Sequence, residues 1–200
     1  DRRAAEGRVT LALFGLRAEP PLVVPGEGFY LRPPEARDYE AWAALREESR
    51  GFLTPWEPSW PADDLTRAAY RRRLRRYAND RERDESHVFF LFRTSDEALL
   101  GGLTLSNVRR GVAQAATLGY WMGAPHAGKG WMTKAVGAAC RHGFSRMGLH
   151  RIEAACLRSN QPSRALLERN RFHLEGAARA YLKIDGKWTD HLLFARLEDD

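Results

Sequence analysis

The 200-residue sequence predicts an α+β fold, a mixed and mostly antiparallel sheet with helices on both faces. Three observations predict it. His87 to Met122 reads as three consecutive strands separated by turn-formers, the pattern of an antiparallel meander. From Lys129 the period lengthens, and Met132, Val136, Cys140, Phe144 and Met147 recur at three- and four-residue steps, as on one face of a helix. Beyond Gly148 short strand and helix patterns alternate again, giving the order β-α-α-β-β-β-α-β-α-β-β.

Residues 1–28 read as a partly irregular N-terminal extension and residues 29–200 as one domain. In the extension, Val9 to Leu16 is apolar enough for a short strand, and Pro20, Pro21, Pro25, Gly26 and Gly28 punctuate a loop. Phe29 to Leu31 is a strand stopped by Pro33 and Pro34. A helix over Glu35 to Ser49 follows, with Pro34 near its first turn and Gly51 closing it. Pro55, Pro58 and Pro61 then forbid a regular helix around Trp56 and Trp60. Tryptophans in such a loop serve either as lids on a core or as walls of a substrate pocket. Asp63 or Asp64 caps a second helix running to Asp80. Leu65, Ala69, Leu74 and Tyr77 mark its inner side, and six arginines from Arg67 to Arg76 cover the rest. That face is either simply solvated or an anion site.

Strands over His87–Arg93, Leu99–Val108 and Ala113–Met122 form the meander, with turns at Thr94–Glu97 and Arg109–Gly111. The main helix runs from Lys129 to Met147 and ends at Gly148 as a glycine cap. His150–Leu157 is a strand, Pro162–Asn170 a short helix, and Phe172–Ile184 and Trp188–Leu197 a hairpin joined by Asp185-Gly186-Lys187.

Composition removes whole classes. With 44% hydrophobic and 29% charged residues, a sizeable core can be buried and a wholly disordered chain is excluded. No run approaches the ~20 apolar residues of a membrane helix, and the charged start shows no signal peptide. Cys140 and Cys156 lie in no C-x-x-C pair, which suits a reducing cytoplasm and predicts neither a disulfide framework nor structural zinc. The six histidines show no ligand spacing, so no metal is predicted, and no G-x-S-x-G hydrolase motif occurs. The net charge of +6 favours anionic partners without choosing among nucleic acid, a phosphorylated cofactor and an acidic protein.

The most informative stretch is Gly119-Tyr120-Trp121-Met122-Gly123-Ala124-Pro125-His126-Ala127-Gly128-Lys129-Gly130-Trp131-Met132-Thr133. It reads as strand, glycine loop and helix start. A helix N-terminus presents free N–H groups and a partial positive charge, which suit a pyrophosphate. Gly128 and Gly130 let the backbone approach phosphates, Lys129 adds a cation, and Thr133 adds a hydroxyl. Neither the Walker pattern nor G-x-G-x-x-G is present, and a glycine pair alone also describes a simple loop.

With this element order around it, the sequence resembles the GNAT superfamily of acetyl-CoA-dependent N-acetyltransferases. The signature Q/R-x-x-G-x-G/A falls on Ala127-Gly128-Lys129-Gly130-Trp131-Met132, where the central glycine matches and Ala127 and Met132 depart from the pattern. A second signature falls on Asn160-Gln161-Pro162-Ser163, Leu166-Leu167-Glu168-Arg169 and Phe172. Leu118 to Trp121, Leu149 to Ala154, Phe172 to Gly176 and Tyr181 to His191 resemble the RimJ/RimL type, the ribosomal-protein N-terminal alanine acetyltransferases. The resemblance covers Phe29 to Leu197.

The resemblance implies a twisted sheet with a splayed central strand. The backbone of Trp121, Met122 and Gly123 would hold the pantetheine arm of acetyl-CoA, and the amides of Gly128 to Thr133 its pyrophosphate. Asn160 would bond the pantetheine and Ser163 would lie near the sulfur; alternatively Asn160 ends a strand and Ser163 opens a helix. The position where many members carry an acidic Tyr is Leu167, leaving Ser163 as candidate acid. The RimL-type glutamate position is Leu182, which leaves Glu153 as first choice for base, with an arginine ion pair as its other reading. Glu57 and Asp190 are reserves, and Cys156 reads as a buried strand cysteine. Trp56, Glu57 and Trp60 are the candidate substrate-binding residues.

The expected reaction is direct acetyl transfer to an amine, most naturally a protein N-terminus such as a ribosomal protein's. An α-amine has a pKa of ~8 against ~10.4 for lysine, so it needs only weak base help. A small-molecule amine is the alternative acceptor. A different class is an RNA- or ribosome-binding module that grips RNA through the arginine-rich helix, with transfer weak or lost.

Overall fold

The computed structural model describes residues 22–200. The expected strand at Val9 to Leu16 lies outside them. Eight strands form one sheet: β1 Val24–Gly26, β2 Phe29–Arg32, β3 His87–Arg93, β4 Leu99–Arg109, β5 Ala115–Met122, β6 Arg151–Leu157, β7 His173–Ile184 and β8 Lys187–Leu197. Their order is β1-β2-β3-β4-β5-β6-β8-β7, and every pair is antiparallel except β5 with β6. The helices are α1 Tyr39–Glu48, α2 Arg50–Leu53, α3 Arg67–Glu82, α4 Trp131–Ser145 and α5 Gln161–Arg169. The mixed, mostly antiparallel sheet is therefore the one expected.

The parallel pair is where the sheet opens. β5 and β6 are in register from Ala115↔Arg151 to Leu118↔Ala154 and no further. Yet β5 stays paired with β4 through Gly101↔Met122, and β6 with β8 through Leu157↔His191. Beyond Leu118 the two strands part, so the edge of β5 from Gly119 to Met122 has no strand partner on that side.

Alternation along the strands sends side chains to two cores. On one face, Ala135, Val136, Ala139 and Cys140 of α4 meet Leu103, Leu105, Ala116, Leu118 and Ile152, all at most 3% exposed. On the other, Trp42 and Leu45 of α1 and Tyr70 of α3 meet Phe90, Phe92 and Leu99. Each such fully buried leucine or isoleucine is worth ~2–5 kcal/mol against truncation to alanine.

Four local readings need correction. Val24–Gly26, expected as loop, is the edge strand β1, where Pro25 is tolerated because an edge strand need not donate outward. Gly51 does not close the first helix: the helix resets at Ser49 and continues as α2 and a 3-10 turn to Trp56. The buried Ser49 hydroxyl instead accepts the Ala124 N–H at 2.9 Å, tying this reset to the end of β5. The cap of α3 is Thr66, whose Oγ1 accepts from the Ala69 N–H at 3.2 Å, while Asp63 and Asp64 pair with Arg72 and Arg73. The hairpin turn is Asp185-Gly186 alone, with φ of +43° and +77°, and Lys187 already pairs with Ile184.

Candidate functional site

The opened edge of β5 leads into the glycine loop. Gly123 sits so close under α1 that a Cβ there would meet the Leu45 side chain at 2.5 Å. After a 3-10 turn over Ala124–His126, Gly128 and Gly130 take φ of +73° and +79°, a region costly for any other residue. Nothing lies within 4 Å of where their Cβ atoms would be, so this conformation, and not packing, requires glycine. Gly130 caps α4, which begins at Trp131, two residues later than expected. No acceptor among the described residues meets the N–H groups of Gly128 to Thr133. They form a contiguous set of donors at the positive end of a 15-residue helix.

The side chains here do other work. Lys129 Nζ donates to the Pro125 carbonyl at 2.8 Å. Trp131 packs its indole against Gly28 in the β1–β2 turn, clear of the loop, and Met132 is core at 5% exposure. The Thr133 carbonyl accepts from Asn170 Nδ2 at 3.1 Å. Ala127 is extended and half-buried.

Across the opening stands the start of α5. The Asn160 side-chain oxygen accepts the Ser163 N–H at 3.1 Å, capping the helix, and its amide nitrogen has no acceptor among the described residues. Tyr120, on the unpaired part of β5, meets Ser163 with a hydroxyl–hydroxyl distance of 2.7 Å. Burial pushes the Tyr120 hydroxyl well above the ordinary tyrosine range. Cys156, also past the last β5–β6 pair, has its thiol pushed up by burial, partly offset by Ser163, so it rests protonated. Leu167 is fully buried and carries no chemistry.

The opposite face of the opening is built from ion pairs. Arg46, 8% exposed, donates to both Glu57 oxygens at 2.8 and 2.7 Å, and Trp60 Nε1 donates to Glu57 Oε2 at 2.8 Å. The guanidinium lies 4.1 Å from the Trp60 ring centroid and 5.0 Å from that of Trp121, and its Nε is buried without an acceptor. The Glu57 carbonyl accepts the Asp185 N–H at 3.0 Å, so the β7–β8 hairpin tip is bonded to this loop. Trp56 is half-buried in the same loop.

Glu153 pairs with Thr117 in register, one step before the strands part. Its neighbours Ile152 and Ala154 face the α4 core, so Glu153 faces the other way. There it lines an open groove of about 530 Å³ with Arg109, Thr117, Asn107 and Tyr181. Its oxygens accept from Arg109 at 2.6 Å and Arg151 at 2.9 Å. Arg151 also pairs with Glu175, whose carboxyl it holds below the usual range. Asp190 is engaged as well, accepting the Ala180 N–H at 2.8 Å in the bulged part of β7.

The structure thus gathers the backbone of Trp121, Met122, Gly123 and Ala127 to Thr133, with Asn160 and Ser163, around one opening, while the side chains of Trp131 and Met132 go to the β1–β2 turn and the core; Glu57 and Trp60 stand on the far wall and Glu153 at the fork. Sequence reasoning did not single out Tyr120, Arg46, Arg109 or Arg151. Tyr120 carried a signal, as a hydroxyl in the alternation of Leu118 and Met122. Arg46 carried none, being one more arginine on a charged helix.

A sheet that parts beside a donor-lined helix start, with hydroxyls across the gap, defines a class: acyltransferases that lay a coenzyme A thioester between two strands. The chain belongs to the GNAT acetyltransferases, matching the Acetyltransferase (GNAT) domain family over residues 29–173. It is an N-acetyltransferase of the RimJ-like type. It is 38% identical to the probable N-acetyltransferase YjcK of Bacillus subtilis (strain 168) over 175 residues, 88% of this chain and 97% of that protein. It is 34% identical to the [ribosomal protein uS5]-alanine N-acetyltransferase of Escherichia coli (strain K12) over 189 residues, 94% and 97% of the two chains. The solved structure of Mycobacterium smegmatis RimJ in complex with CoA-disulfide superimposes with a TM-score of 0.82 at 33% identity, covering 88% of this chain and 85% of that one. Among the described residues no His, Cys, Asp or Glu group could hold a metal, and no helix is long and apolar enough to cross a membrane.

Proposed function

We propose that this protein transfers the acetyl group of acetyl-CoA to the α-amine of a protein N-terminus, of the ribosomal-protein alanine type, in the cytoplasm. The observation that carries the reading is the parting of β5 from β6 directly beside the unpartnered amides of Gly128 to Thr133. The residues fit the cosubstrate. The amides and the helix dipole suit its pyrophosphate, with open space over both glycines. The free edge of β5 at Trp121, Met122 and Gly123 and the spare Asn160 amide suit the polar groups of its pantetheine. Acetyl-CoA supplies, when bound, an activated thioester carbonyl and a sulfur leaving group.

The chain's own residues do the rest. A fixed N–H on the free edge of β5 stabilises negative charge growing on a carbonyl oxygen there. Ser163 donates a hydrogen bond toward the departing sulfur, and Tyr120, protonated throughout the working range, holds the Ser163 hydroxyl in place. A thiolate's pKa of ~8.5 makes this help useful without being obligatory. Glu153 was the sequence's first choice for base. With each oxygen taken by a guanidinium, it is spoken for as a base and instead shapes the groove beside the fork. The proton leaves through water, because an α-amine lies within about a unit of neutrality. Trp56, Glu57 and Trp60 wall the acceptor side.

The test is CoA release with acetyl-CoA and peptides beginning with Ala or Ser, beside a panel of amino sugars, polyamines and free amino acids. Turnover is expected with the peptides. Turnover confined to the small amines would replace the acceptor, and none with any amine would end the reading.

A further inference from the structure

The site leaves the arginines of α3 unused. Eight arginines lie between Arg67 and Arg83 against two acidic residues, Asp80 and Glu82. Arg67, Arg72 and Arg73 are matched by Glu40, Asp63 and Asp64. Arg71, Arg75, Arg76, Arg81 and Arg83 are all exposed and have no acidic partner among the described residues. Arg71 and Arg75, one turn apart, sit at the middle of the face opposite the buried Ala69 and Tyr70. Like charges at this spacing repel, so folding alone gives no reason for the arrangement. Ala68, Ala78 and Asn79, all exposed, share the face and leave the guanidiniums standing above their surroundings.

We infer that this ridge is a docking surface for the phosphate backbone of a structured RNA. Guanidiniums pair with phosphate through two parallel N–H bonds, and the ridge contains arginine and no lysine. No acidic residue of the helix itself interrupts the arginines before Asp80, and Arg71, Arg75 and Arg76 remain unmatched along it, which suits an evenly spaced polyanion better than a protein's scattered carboxylates. No aromatic side chain stands free to stack on bases, since Tyr77 is half-buried beneath Arg76. Binding is therefore to backbone and indifferent to sequence. The ridge is also well placed. α3 packs on the same sheet face as Trp121, and Glu85, just beyond its end, lines the groove that holds Glu153. The choice of RNA over another polyphosphate rests on the proposed ribosomal acceptor: an RNA strand on this ridge lies beside the groove where such an N-terminus would enter.

The experiment is fluorescence anisotropy of a labelled RNA hairpin titrated with the full chain at 50 and 200 mM KCl. Four phosphate contacts predict affinity falling about 100-fold between the two salts. The Arg71→Glu/Arg75→Glu variant is expected to bind at least about tenfold more weakly at low salt. Arg71→Ala/Arg75→Ala, which keeps a strong helix former, should bind more weakly by a smaller factor. Acetylation of a free Ala-initiated peptide should stay unchanged in both. RNA binding that ignores salt or survives both variants overturns the inference, and so does equal or tighter binding of a DNA duplex or of polyglutamate. If RNA binds as expected and no peptide is acetylated, the acceptor reading falls and the ridge stands.

Discussion

The two walls of the opening are made of different material. The α4 side is backbone: a turn of left-handed glycines and the unpaired amides after it. The proposed acceptor side is side chain: Arg46, Glu57 and Trp60 locked together, and Glu153 held between Arg109 and Arg151. A wall of backbone needs only a permissive conformation at two positions, and in the proposed function it serves a group common to every reaction of the family. A wall of side chains needs partners from distant segments to agree, and it is where one acceptor can be told from another. The same division explains why the cofactor side tolerates Ala127 and Met132 at signature positions. What that side contributes there is N–H groups, and Met132 spends its side chain in the core.

Three substitutions sharpen the contrast. Arg46→Ala should have the largest effect, because it strands the partly buried Glu57 carboxylate and removes the cation between two indoles. A loss of ~3 kcal/mol in folding stability is expected by urea denaturation. Calorimetry on the folded fraction should find CoA affinity within a few-fold of wild type. If CoA binding collapses with it, the walls are not separable. Gly130→Val reverses the pattern. A β-branched residue at φ +79° distorts the cradle, costing ~2 kcal/mol, or about 30-fold, in CoA affinity. The acceptor wall should be untouched, so the KM for a peptide should hold. Tyr120→Phe is the mildest. Removing the hydroxyl that orients Ser163 should lower kcat about five- to tenfold, ~1 kcal/mol, with the KM for acetyl-CoA unchanged. Because burial raises the Tyr120 pKa, its proton stays on as pH climbs through the ordinary tyrosine range. Wild-type kcat should therefore show no alkaline loss at pH 9 to 10, and one there would contradict the assignment.

Much of the fold was legible because period and punctuation agree with it. The continuous apolar runs of β3 to β5 follow from a sheet buried on both faces, and the three- and four-residue steps of α4 from a core on one side of that helix. The misreadings arose where two local signals compete. Gly51 looks like a stop, but Ser49 bends the helix by bonding Ala124, 75 residues away, which no local rule anticipates. Asp63 and Asp64 are good caps in principle, yet arginines one to two turns inside α3 attract them more strongly than its first amides. At the site, the glycine loop was visible because backbone conformation is written locally. The acceptor wall was only half visible. Trp56, Glu57 and Trp60 stand out as aromatic and acidic residues in a proline loop, but their partner Arg46 lies on a helix of many charges. Glu153 could be picked out, and Arg151 shares its side of β6 two residues back, but Arg109 reaches it from β4 through register, which composition does not specify.

The parting of β5 and β6 leaves this sheet short of several rungs it is shaped to make. A molecule whose amide groups lie along that gap stands in for a missing strand, and the two leaves on either side become one continuous ladder only while it is there. On the proposed binding of acetyl-CoA along β5, cosubstrate and scaffold would be parts of a single hydrogen-bonded structure, each turnover would end by undoing a piece of the enzyme's own sheet, and release of the spent carrier would be as much a question of fold stability as of affinity.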